Sequence, residues 1–112
     1  MVINITGRHV EITDAIRGHV EGRLAGVMDE FPRIQSIHVV LNHEKQHRNI
    51  AEIVVQAPGP GTVGTREESH DMYVSIDAAV EKVAIQMRKW FDRVQDHHKG
   101  QGHRGPTAPA KA

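Results

Sequence analysis

The stretch from Asp71 to His98, DMYVSIDAAVEKVAIQMRKWFDRVQDHH, constrains the fold more than any other. Met72, Ile76, Ala79, Val83, Met87, Trp90 and Val94 recur at alternating four- and three-residue steps. That is the stripe of a helix that buries one face against a core. At about 100° per residue, Lys82, Lys89 and Arg93 share one flank of the stripe, and Arg88 lies on the opposite, more exposed side. The acids Asp77, Glu81 and Asp92 fall mostly on the far face. For a lone helix the plain reading is a solvated surface whose lysines happen to align. The rest of the chain decides.

A helix with one apolar stripe needs something to cover, and the preceding residues supply strands. Val2–Thr6 is short and β-branched, with Ile3 and Ile5 on one face, and Gly7 begins a turn. Thr13 can cap a first helix whose stripe is Ile16, Val20, Leu24 and Val27, with Asp14 favoured in its first turn. Gly18, Gly22 and Gly26 run along its other side, each costing about 1 kcal/mol relative to alanine. The plainer account is a face that packs against nothing; the alternative is a smooth surface for a partner's backbone. Phe31-Pro32 ends the unit.

Ile34–Asn42 alternates, with Ile37, Val39 and Leu41 inward and His38 and Asn42 outward. His43–Asn49 reads as a polar hairpin loop presenting Lys45 and Arg48. Ile50–Ala57 returns as a strand, Pro58–Gly61 turns, and Thr62–Glu68 makes a weaker fourth strand. Ser69 or Asp71 then caps the long helix. The order is β-α-β-β-β-α, with a parallel first pair and antiparallel hairpins after it. The expected fold is α+β: a two-layer sandwich of a four-stranded mixed sheet, both helices on one face and the other face polar and open.

At 112 residues the chain holds one domain with a modest core. Without cysteine it has neither disulfides nor thiolate chemistry. No apolar run approaches the roughly 18 residues of a membrane span. The opening MVINITGRHVEIT has no secretory pattern, so the expected location is the cytoplasm. Net charge is zero, but it is unevenly spread: from Arg88 onward six Lys and Arg face two acids, with His97, His98 and His103 besides. That asymmetry points to an anionic partner and not to indiscriminate nucleic-acid binding. Residues 1–99 are expected to form the domain, and residues 100–112, rich in Gly, Pro and Ala, a disordered tail.

The segments NITGRHVEITDAI, Glu44-Lys45, DMYVSID and EKVAIQMRK, in this order, resemble the ribosome hibernation-promoting factor family, which includes ribosome-associated inhibitor A. The resemblance runs from about Val2 to Lys99. It implies a fold like that of a double-stranded RNA-binding domain. It also implies binding to small-subunit rRNA in the decoding region, which holds idle ribosomes inactive under stress or in stationary phase. The family's basic positions fall on Lys82, Lys89 and Arg93 of the long helix, Arg23 of the first helix and Lys45 of the hairpin loop, with Arg88 nearby. Gly26, Ile85 and Phe91 stand where relatives commonly carry a basic residue. The expectation is a short-form member, lacking the second domain through which long forms pair ribosomes. No cofactor, DNA or membrane partner is implied, and the free protein is expected to be a monomer.

Other classes fare worse. Nine histidines prompt a metal-binding reading, and His43-Glu44-Lys45-Gln46-His47 even has the H-E-x-x-H spacing, yet it lies in a predicted loop, where that spacing guarantees no common face, and there is no cysteine. No nucleophile–base–orienter set is visible, so catalysis is not expected. One Trp, one Tyr and two Phe make a poor stacking platform for single strands. Trp90 reads as a core residue, and Tyr73 as a packing residue whose hydroxyl is left for the first helix or for RNA. A protein-binding regulator that modulates a transcription factor remains as the rival.

Overall fold

A computed structural model describes the backbone of residues 2–100 and the side chains of residues 3–93. Its elements run β1 (Val2–Arg8), α1 (Asp14–Glu30), β2 (Ser36–Glu44), β3 (Arg48–Ala57), β4 (Gly61–Ser69) and α2 (Met72–Gly100). The sheet order is β1-β2-β3-β4. β1 lies parallel to β2, starting at Val2 opposite Ser36, and the other two junctions are antiparallel. The mixed four-stranded sheet and the element order follow the sequence reading. The tail expected over residues 100–112 lies outside the described residues, apart from Gly100 at the end of α2, as do the side chains of Val94, His97, His98 and His103.

The core is one layer between the sheet and the two helices. Ile37, Val39 and Leu41 of β2, and Ala51, Ile53 and Val55 of β3, alternate inward. They meet Val20, Leu24 and Val27 of α1 and Met72, Ile76, Ala79, Val83 and Met87 of α2. Each buried Val, Leu or Ile contributes about 1.5–3 kcal/mol by leaving water. Thr13 caps α1, its hydroxyl accepting from the Ile16 N–H at 3.2 Å. A Cβ on Gly18, Gly22 or Gly26 would meet nothing within 4 Å, so among the described residues that face packs against nothing.

The start of α2 is tied down on three sides. The Asp71 carboxylate accepts from the Tyr73 N–H at 2.8 Å, which caps the helix. The fully buried Ser75 donates its hydroxyl to the Asn49 carbonyl at 2.7 Å and lies 2.6 Å from the Ser69 hydroxyl. The Tyr73 ring meets His19 of α1 edge-on, with centroids 4.9 Å apart. Further along, Phe31 stacks on Phe91 at 5.6 Å, so α1 and α2 run side by side in the same direction.

Three expectations need correction. β1 continues through Gly7 to Arg8, because Gly7 pairs with Leu41 and Arg8 with Asn42. The β2–β3 connection is tighter than a seven-residue loop. Glu44 and Arg48 are ladder partners, and only Lys45, Gln46 and His47 turn the chain, the latter two at φ of 64° and 58°. Trp90 is not a core residue. The sheet beneath α2 runs out at the 58–60 turn, and the half-buried indole lies over that turn. Gly59 sits so close beneath it, at φ +99°, that a Cβ there would come within 2.6 Å of the ring. The next residue, Phe91, makes the core contact instead.

Candidate nucleic-acid interface

The two flanks of α2 are wired differently. On the β4 side, Thr65 donates its hydroxyl to the Ala79 carbonyl at 3.1 Å, which fixes strand against helix. Lys82 projects from this flank and meets Glu67 of β4 at 2.8 Å. The lysine side chain stays 60% exposed, while Glu67 is 23% exposed. Lys89 and Arg93 follow along the same flank. Both are exposed, and neither has an acid partner among the described residues. The periodicity therefore located a real basic edge, part of which is already neutralised.

The other flank faces α1. Asp77 accepts from His19 Nε2 at 2.7 Å and is ion-paired with Arg23, whose Nε lies 3.1 Å away. Arg88 grips Glu30 with two bonds, Nε at 2.6 Å and Nη2 at 2.9 Å. A fork-to-fork pair of this kind is the strong form of an ion pair. Its hydrogen bonds hold the Glu30 carboxyl below the usual carboxylate range, against a smaller opposing effect of desolvation, and hold the Arg88 guanidinium above its ordinary value. Arg23 and Arg88, expected as site residues, thus sit in the groove between the helices as partners of acids. Arg88, read from the sequence as lying on the more exposed side, is exposed there, and that side faces α1.

Lys45 is elsewhere again, in the β2–β3 turn at the end of the molecule where both helices begin. The six expected residues form no single cluster: three line the β4-side edge, two the inter-helix groove, one the hairpin. The sequence reading missed the acids that pair with them. Glu67 lies on a strand, and Glu30 and Arg88 are 58 residues apart, so no local signal joins them. Among the described residues no group of three metal-ligating side chains comes together. His43 bonds Asn49 Oδ1 at 2.8 Å, and His38 lies 3.4 Å from Asn4 on the open sheet face. No described helix is long and apolar enough to cross a membrane.

An α+β sandwich with a basic helix edge and an open sheet face is the class these features define. The family model described as "Sigma 54 modulation protein / S30EA ribosomal protein" matches residues 3–95, and the chain belongs to that family. The ribosome hibernation promoting factor of Pseudomonas putida is 36% identical over 100 residues, which cover 89% of this chain and 96% of that one. Its counterpart in Escherichia coli K12 is 38% identical over 98 residues, covering 87% and 100%. Among solved structures, a ribosomal subunit interface protein from Coxiella burnetii superposes with a TM-score of 0.76 at 30% identity, covering 82% of this chain and 99% of that one. The N-terminal domain of Thermus thermophilus Protein Y gives 0.71 at 40% identity, covering 80% and 98%. The family belongs to ribosome hibernation and translation regulation, and it is not described by a reaction.

Proposed function

We propose that this protein is a ribosome hibernation factor that binds the small subunit at the decoding region and inhibits translation under stress or in stationary phase. The observation that carries the proposal is the edge Lys82–Lys89–Arg93, exposed in line on a helix that the core holds rigid. Side chains on a fixed helix reach RNA phosphates without reading bases, which suits a structured target. The names of the relatives, ribosome hibernation promoting factor and ribosomal subunit interface protein, support the same partner. Residues 1–99 form the binding unit, the free protein is a cytoplasmic monomer, and no metal or cofactor takes part. Arg23, Lys45 and Arg88 contribute at the margins, the two arginines only after exchanging an acid for a phosphate.

The test is a sucrose gradient of stationary-phase lysate with the protein followed by blotting, for the parent and for Lys82→Gln/Lys89→Gln/Arg93→Gln. The parent should travel with small subunits and whole ribosomes and leave them as salt rises. The variant should stay at the top of the gradient. Co-migration of the variant like the parent would make α2 a scaffold only. The family description also names sigma 54 modulation. That second reading predicts association with a transcription factor and indifference to ribosomes in the same gradient.

A further inference from the structure

A cleft of about 830 Å³ opens at the hairpin end of the sheet, between the end of β1 and the β2–β3 turn. Its walls include Arg8, His9, Asn42, His43, Lys45 and His47. Arg8 and Lys45 have no acid partner among the described residues, whereas Arg48, also at the cleft, is held by Glu44 and Glu68. Glu44 lines the cleft as well, paired with Arg48, so Arg8 and Lys45 are the two cations left for an anion.

Two further observations describe the walls of the cleft. The Asn42 side-chain oxygen is buried and lacks a hydrogen-bond partner, while its amide donates to Glu44 at 3.2 Å. That oxygen is closed off even to water, so Asn42 is a wall of the cleft and not an acceptor that a ligand reaches. His9, Gln46 and His47 are the non-glycine residues at positive φ among the described residues, and all three line this cleft. At Gln46 and His47 this is the geometry of the tight β2–β3 turn, which fixes the rim of the cleft. His43 and His47 meet edge to face at 6.4 Å, which leaves flat imidazoles at the opening.

We infer that this cleft binds a nucleoside phosphate. Arg8 and Lys45 hold the phosphate, and His9 and His47 offer planes on which a base stacks. Inorganic phosphate would use only the cations. A divalent cation would meet Arg8 and Lys45 as like charges. The nucleoside phosphate has two sources, a free mononucleotide or an unpaired nucleotide of RNA. In the second case the inference rests on the ribosomal reading above.

The experiment is an NMR titration of the ¹⁵N-labelled full chain with adenosine 5′-monophosphate, uridine 5′-monophosphate, inorganic phosphate and a short oligouridylate. Shifts should concentrate at residues 8–9 and 42–48, with nucleotide bound about tenfold tighter than phosphate. Arg8→Gln and Lys45→Gln, both at exposed positions, should each weaken binding about tenfold, the effect of one charge-assisted bond. Shifts with the oligonucleotide but not with mononucleotides, lost in Arg8→Gln, would support the RNA source. Phosphate bound as tightly as nucleotide overturns the base-binding inference, as do shifts that map elsewhere or survive both variants. No shift with any ligand overturns it as well. The Lys82→Gln/Lys89→Gln/Arg93→Gln protein separates the two proposals, since it should keep these shifts whether or not it binds ribosomes.

Discussion

The two flanks of α2 carry the same kinds of residue and do different work. Toward α1, Arg88 and Asp77 are bound to partners 58 residues away and fix the helices side by side. Toward β4, Lys82 alone is paired, and Lys89 and Arg93 stand clear among the described residues. A basic residue on a helix is therefore not a binding residue by type or by spacing. What decides is whether the neighbouring element supplies an acid. A cation already satisfied must lose one partner to gain another, and surface ion pairs are weak enough to be exchanged in this way.

The largest effect should come from removing what both flanks share. Val83 is fully buried midway along α2, and Val83→Asp places an unpaired carboxylate in the core, a loss of about 4 kcal/mol or more. Thermal melting should show an unfolded or grossly destabilised chain. An unchanged transition would mean that the helix does not bury this face. Next in size is the exposed edge. Lys82→Gln/Lys89→Gln/Arg93→Gln should keep the parent's melting temperature, while the slope of log affinity for ribosomes against log salt flattens by about 2 to 3. A slope equal to the parent's would remove the edge from the interface.

A smaller pair of changes sets one flank directly against the other. Glu67→Gln frees Lys82 and should strengthen ribosome binding a few-fold with little change in stability. Arg88→Gln should do the reverse, lowering the melting temperature slightly and leaving most of the binding. If Arg88→Gln costs more binding than loss of the whole edge, the flanks have been assigned the wrong way round. The smallest effect is that of acid. The Glu30 and Glu68 carboxyls titrate lower in the folded chain than in the unfolded one because Arg88 and Arg48 hydrogen-bond them. Their stabilisation is complete above the unfolded carboxylate range and is lost as pH falls through the lower folded values. Melting temperatures of Glu30→Gln and of the parent should therefore converge on acidification.

Much of this fold is written locally. The α2 stripe from Met72 to Met87 and the alternation of Ile37, Val39 and Leu41 depend only on near neighbours, so periodicity finds them. The ends of the hairpin were not legible. Glu44, Arg48 and Asn49 look like loop residues by composition, yet Glu44 and Arg48 lie on the open sheet face, where charge is tolerated. Trp90 keeps the helical period after the sheet beneath it has ended, and period alone carries no information about where a sheet stops. For the site, the spacing found the edge, but the pairing of Lys82, Arg23 and Arg88 depends on contacts that exist only once the chain has folded.

The parallel junction of β1 with β2 bears on how the chain assembles. β2, β3 and β4 form a meander closed by turns of three residues, and α2 follows β4 after two more. Joining Val2 to Ser36 instead requires a closure that spans all of α1. Such a loop loses more chain entropy before any contact forms, so the meander with α2 gathers first and β1 with α1 docks last. Pulsed amide exchange during refolding would show it: protection should reach Ile53 and Val83 before Ile5. Simultaneous protection of all three would mean that the sheet closes in one step.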